Sequence, residues 1–143
     1  MSKKLHRSAM VPFKAQQMFD LVNDIDAYPE YMTGCLNAEV LEKGSDWLSA
    51  RLELGKGGIS QSFTTRNTLT PPQSMTMELM DGPFKIFKGE WVFTDLEQGA
   101  CKVEFHLEYE FSNFLLGIAG GKLIDQVAGE QVDAVCRRAK QVL

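Results

Sequence analysis

Histidine and cysteine are scarce in this chain: two of the first and three of the second among 143 residues. Cys35, Cys101 and Cys136 lie far apart and no C-x-x-C occurs, which excludes a zinc ribbon and a thioredoxin-like pair. So sparse and odd a set fits reduced thiols in a cytosol, not a disulfide framework. His6 and His106 both fall in strand-like segments, with His106 on the polar face of its own, where a surface histidine without a partner is expected. The G-x-S-x-G, H-E-x-x-H and phosphate-loop motifs are all missing, and "GKGG" from Gly55 lacks the spacing and trailing hydroxyl of a P-loop. "MSKKLHRSAM" has no apolar signal-peptide core. The longest apolar stretch, "FLLGIAGG" from Phe114, is far too short to cross a bilayer. Net positive charge is absent too. A formal charge of −4 makes the chain a poor generic partner for DNA, since phosphate contacts need a basic surface.

What remains is ordinary globular composition, and the length suits one domain over residues 1–143. "KLHRSAMV" from Lys4 to Val11 reads as a strand closed by Pro12. Met18, Phe19, Leu21, Val22 and Ile25 then recur at helical spacing. Pro29 limits "AYPEYMTGC" to a short helix or turn that Gly34 stops. From Leu36 to Phe111 the period becomes two. A hairpin turns at Gly44-Ser45-Asp46, and Leu48, Ala50, Leu52 and Leu54 share a face. In "CKVEFHLEYEF" the residues Cys101, Val103, Phe105, Leu107, Tyr109 and Phe111 alternate with polar ones, the mark of an antiparallel sheet wet on one face. The alternation turns Glu104, Glu108 and Glu110 outward, as a solvated face and not an acid/base pair. From Ser112 to the end, Leu116, Leu123, Ile124, Val127, Ala134, Val135 and Val142 form a helical stripe that Ser112 or Asn113 can cap. The fold class is α+β: a curved antiparallel sheet whose dry face is covered by the last helix, the only element long enough for it.

"DGPFKIFKGEWVF", from Asp81 to Phe93, is the densest aromatic stretch. The turn Asp81-Gly82-Pro83 precedes a strand beginning at Ile86, which sets Phe84 at a loop tip or edge. Phe87, Gly89, Trp91 and Phe93 share a face. As plain core they need no ligand. Two features favour a pocket wall instead. A strand glycine such as Gly89 often marks a bend or a close approach by a ligand. The last helix carries Gly117, Gly120, Gly121 and Gly129, each costing roughly 1 kcal/mol against alanine inside a helix. Met75, Met77 and Met80 supply adaptable lining or edge surface.

Four strings, "LVNDIDAYPEYMTGC", "DGPFKIFKGEWVF", "EYEFSNFLLG" and "RRAKQVL", together resemble the START-like, helix-grip superfamily across essentially the whole chain. The nearer resemblance is to its coenzyme Q-binding and polyketide-cyclase-like branch, which includes bacterial ribosome association toxins. Tyr31-Met32-Thr33-Gly34-Cys35 departs from the branch's pattern, since the bulky aromatic before the cysteine is missing. The resemblance implies an apolar cavity between sheet and terminal helix, holding ubiquinone or another polyprenyl lipid without catalysis and in support of respiration. It implies as an alternative a factor that binds the large ribosomal subunit and blocks subunit joining, and as a second alternative a cyclase-like enzyme. The expected ligand-binding residues are Phe87, Trp91, Phe93, Phe105, Leu107, Tyr109, Met77, Leu123 and Val127, with Tyr109, Gln61, Thr65 and Asn67 as candidates to orient a head group. Phe84, Lys85, Lys88 and Leu115 (or its neighbour Leu116) are expected as a gate or a contact with an anionic membrane. No catalytic residue, metal or cofactor is expected, and the expected place is the cytoplasm, peripheral at most to the inner membrane. Lys3, Lys4 and Arg7 join Arg137, Arg138 and Lys140 in a basic patch if the termini meet.

Overall fold

A computed structural model describes residues 2–143. Seven strands form one antiparallel sheet in the order β1-β7-β6-β5-β4-β3-β2. They are β1 (Lys3–Val11), β2 (Cys35–Lys43), β3 (Trp47–Lys56), β4 (Ile59–Thr70), β5 (Ser74–Asp81), β6 (Phe84–Asp95) and β7 (Cys101–Phe111). β2 to β7 run as a meander, and β1 closes the sequence by pairing with β7. Between β1 and β2 lie α1 (Ala15–Asn23), a 3-10 turn (Ile25–Ala27) and the one-turn α2 (Tyr28–Tyr31). The long α3 (Phe114–Val142) follows β7 and packs against β1, β3, β4 and β7. This is the sheet-grips-helix architecture that the periodicities predict.

The alternation in β7 is complete: every odd residue from Cys101 to Phe111 is buried, and every even one is partly exposed. Asn113 caps α3, its Oδ1 accepting from the Leu116 amide at 2.9 Å. Ser112 instead anchors the helix entry to the Asp81-Gly82-Pro83 turn, donating from its amide and hydroxyl to the Pro83 carbonyl. At the far end, Arg138 donates to Glu30 at 3.0 Å and lies over the Tyr31 ring. Gly34, at φ +87°, sits against Val127; a Cβ there would come within 2.5 Å of the Val127 Cγ2. Helix α3 is therefore held at its start, middle and end.

Two expectations change. β6 begins at Phe84, not at Ile86, because a bulge at Lys85 lets Phe84 pair with Phe111 and still share the inner face with Phe87. Phe84 is buried, its ring 4.7 Å from that of Phe111 and 5.0 Å from that of Phe87, so it is not at a loop tip. The basic patch does not assemble. β1 runs beside the middle of α3: Lys3 pairs with Asp125 and Arg7 lies by Gly129. Arg138 is nine residues beyond Gly129, about 14 Å along the helix, and engaged with α2.

Candidate functional site

The aromatic side chains divide into two groups. Trp91, Phe93 and Phe105 stack near α1, with Trp91 and Phe105 centroids 4.7 Å apart and Phe19 meeting Phe93 edge-on. Phe63, Phe84, Phe87, Tyr109 and Phe111 form a second cluster near the start of α3. Between the sheet and α3 lies a cavity of about 40 Å³. Phe87, Trp91, Phe105, Leu107 and Met77 line it, as the sequence reading expects, with Ile124, Ala128 and Gln131 as the helix wall. A space of this size holds a few waters at most, against roughly 300–1,000 Å³ for a pocket that takes a drug-sized ligand.

Other expected residues are placed elsewhere. Phe93 packs on Phe19, and Val127 faces Gly34. Leu123 is buried in the core beside the helix wall without lining the cavity. Gly89 does give a close approach, but to protein: the Met77 methyl stands 2.5 Å from where its Cβ would be. Thr65 lines the cavity, yet its hydroxyl donates to Asn67 Oδ1 at 2.8 Å, and the Asn67 amide turns to the Met75 sulfur. That pair is satisfied internally. Gln61 lies by Gly120, outside the cavity lining.

Tyr109 reaches out of the cavity. Its hydroxyl donates to Asp125 Oδ1 at 2.5 Å, while Lys3 binds Asp125 Oδ2. Burial raises the Tyr109 phenol above its ordinary pKa, and the carboxylate it donates to adds to the effect, so it stays protonated. For Asp125 burial pulls upward, but the hydrogen bonds from Lys3 and Tyr109 and the lysine charge prevail and hold it below the usual carboxylate range.

Lys3 and Tyr109 of this triad line an open groove of about 590 Å³ together with Phe111, Gly117, Gly121, Lys85 and Phe114. The rings of Phe63 and Phe87, which line the cavity, meet Phe84, and Phe84 meets Phe111, which lines the groove. The aromatic cluster is thus a partition between the two spaces. Phe114, Leu115 and Ile118 beside it are exposed at 80%, 76% and 65%. Leu116 points inward. Lys85 is exposed and pairs with Glu110 at 3.7 Å; Lys88 is exposed on the outer face. Sequence reasoning did not name Tyr28, Leu52, Leu54, Phe63, Ile124, Ala128 or Gln131 as lining, although Ile124, Ala128 and Gln131 follow i, i+4, i+7 spacing and would have been found as one face.

Residues 11–136 match the family model described as polyketide cyclase / dehydrase and lipid transport. The chain belongs to that family. Within it, the chain is 49% identical to the ribosome association toxin RatA of Vibrio cholerae over 98% of its own length and 97% of the relative's. It is 45% identical to the protein of that name in Escherichia coli K12, covering 97% and 88% of the two chains. A more distant relative is the mitochondrial coenzyme Q-binding protein COQ10 of Drosophila melanogaster, 24% identical over 97% of this chain and 61% of that one. Among solved structures, the ZhuI aromatase/cyclase from a Streptomyces species superposes with a TM-score of 0.84 at 16% identity, covering 99% of this chain and 95% of that one. A START superfamily protein from Mycobacterium smegmatis gives 0.80 at 18% identity, covering 98% and 99%. These two likenesses establish the helix-grip fold. Among the described residues no helix is long and apolar enough to cross a membrane.

Proposed function

We propose that this chain is a ribosome-associating protein, one that binds the large subunit from the cytoplasm and hinders subunit joining without catalysing a reaction. The observation that carries this reading is the identity of 45–49% over nearly the full length with proteins named ribosome association toxin. The small interior space, about 40 Å³, supports a working surface on the outside over an internal ligand site. The test is overexpression followed by sucrose-gradient sedimentation. The ratio of free subunits to whole ribosomes rises if the reading is right, and an unchanged profile overturns it. Arg137→Glu with Lys140→Glu, at two exposed positions, examines whether the end of α3 contributes; Arg138 is left in place because it holds Glu30.

The apolar lining of the cavity favours a second reading, uptake of ubiquinone or a similar polyprenyl lipid. This requires the partition of Phe84, Phe87 and Phe111 to move so that cavity and groove merge. Docking on an anionic membrane through Phe114, Leu115 and Ile118, with Lys85 near them, belongs to this reading.

A further inference from the structure

His6 and His106, the two histidines of the chain, meet on the outer face of the sheet. They are Cα partners across β1 and β7, and their rings stack with centroids 4.4 Å apart and planes 15° from parallel. Glu104, two residues before His106 on the same face of β7, brings one carboxylate oxygen to both. Its Oε1 is 3.5 Å from His6 Nε2 and 3.8 Å from His106 Nε2. One ligand atom from each of the three residues lies within 4.8 Å of the others. A surface histidine without a partner is therefore not what the structure contains.

We propose that His6, Glu104 and His106 form a binding site for one borderline divalent cation, Zn²⁺ or its neighbours Co²⁺, Ni²⁺ and Cu²⁺. Metal–ligand bonds of about 2.1 Å in a tetrahedral site place ligand atoms about 3.4 Å apart. The carboxylate oxygen already stands at nearly that distance from both nitrogens; the stacked imidazoles must turn out of parallel, by rotation about their side-chain torsions, so that both ring planes pass through the ion. Two imidazoles and one carboxylate leave a position for water, as in open zinc sites. The same donors select against Mg²⁺ and Ca²⁺, which favour all-oxygen shells. The site is open to solvent, with the His6 and His106 side chains 52% and 45% exposed. Lys102 Nζ, 3.8 Å from the same Glu104 oxygen, is the resident cation, and its exposed, long ion pair is readily displaced. The ligands come from an edge strand and its inner neighbour, so a bound ion fastens β1 to β7.

The experiment uses the untagged chain stripped with a chelator. Zn²⁺ is titrated calorimetrically and Co²⁺ by visible absorption, with Mg²⁺ as the control. One ion per chain is expected, with cobalt d–d bands and no thiolate charge-transfer band. At a hundredfold excess over Kd, zinc raises Tm by roughly 5–10 °C. His6→Gln or His106→Gln alone weakens Zn²⁺ by at least about tenfold, the smallest cost seen even for outer-shell partners. The double variant abolishes binding, and Mg²⁺ gives no signal. On the unmodified chain, mass spectrometry after diethyl pyrocarbonate treatment reads the site without any substitution: Zn²⁺ protects both histidines and Mg²⁺ protects neither. Binding that survives the double variant, a thiolate band, or histidines equally modified with and without zinc overturns the proposal.

Discussion

Replacing Ala128 by leucine separates a working interior from a working surface. Widening the cavity from about 40 Å³ to roughly 300 Å³, the small end of ligand pockets, opens about 260 Å³ of void, which at about 24 cal/mol per Å³ costs roughly 6 kcal/mol. A quinone must offset that before it reaches micromolar affinity, itself about 8 kcal/mol. Ala128→Leu adds three carbons to the cavity wall. Their burial contributes about 0.8 kcal/mol each and the crowding costs about 1–3 kcal/mol, so stability stays within about 1.5 kcal/mol of the parent. Two assays are read side by side. Sucrose gradients give the free-subunit ratio on overexpression. Fluorescence of Trp91, which lines the cavity, reports short-chain ubiquinone; Trp47→Phe removes the other tryptophan, which lies under Arg66 outside the cavity. The expected result is no micromolar quenching in the parent and an undiminished ribosome effect in Ala128→Leu. Micromolar quenching in the parent, lost together with the ribosome effect in a folded Ala128→Leu, would refute the reasoning. The partition would then open cheaply, and the interior would be the site.

Two further predictions concern what holds α3. Gly34→Ala forces a side chain into φ +87°, about 1–2 kcal/mol, and against Val127, about 1–3 kcal/mol, so urea unfolding should show a loss of roughly 2–5 kcal/mol. Adding Val127→Ala should recover only the crowding part, and full additivity of the two changes would show that they do not touch. Tyr109→Phe removes the hydrogen bond to Asp125, worth about 1 kcal/mol once the 39% exposure of the Asp125 side chain is allowed for. The folded Asp125 pKa is lowered, so its contribution is present above the ordinary carboxylate pKa near 3.9 and fades as pH falls through the lowered value. The raised phenol works the other way, its contribution being lost as pH climbs past about 10. A stability gap between parent and Tyr109→Phe that is equally large at pH 2.5 and pH 7 would sink this account.

The sheet and its covering helix were legible because each depends on a local period. Alternation in Cys101 to Phe111 needs one wet and one dry face, and the Leu123, Ile124, Val127 stripe needs a partner surface. What failed were features set by a single extra residue or by rotation about an axis. The bulge at Lys85 carries no glycine or other signal in the sequence. Counting by twos back from Phe87 gives Lys85 as the inner residue and leaves Phe84 outside; one inserted residue reverses that. In α3 the stripe spans more than one face of the helix. Val127 turns to Gly34 while Ile124, Ala128 and Gln131 turn to the cavity, and the 3.6-residue period does not choose between them. Cavity volume is a small difference between large filled volumes. No count of aromatics or glycines distinguishes 40 Å³ from a ligand pocket.

The paired histidines show what local reading leaves out. His106 looked solitary because its partner is at the other end of the chain, and only the β1–β7 register brings them together. That register follows from burial. Leu5 and Ala9 must face the core and do so opposite Leu107 and Val103, which leaves His6 and His106 opposite each other on the wet side. A slip of one residue would turn Leu5 to solvent, as the side-chain period is two. A slip of two would keep both faces but move His6 along β7, opposite Glu104 or Glu108. The juxtaposition thus depends on one register among those the hydrophobic pattern allows. A metal ion bridging the two rings would add to the preference for that register.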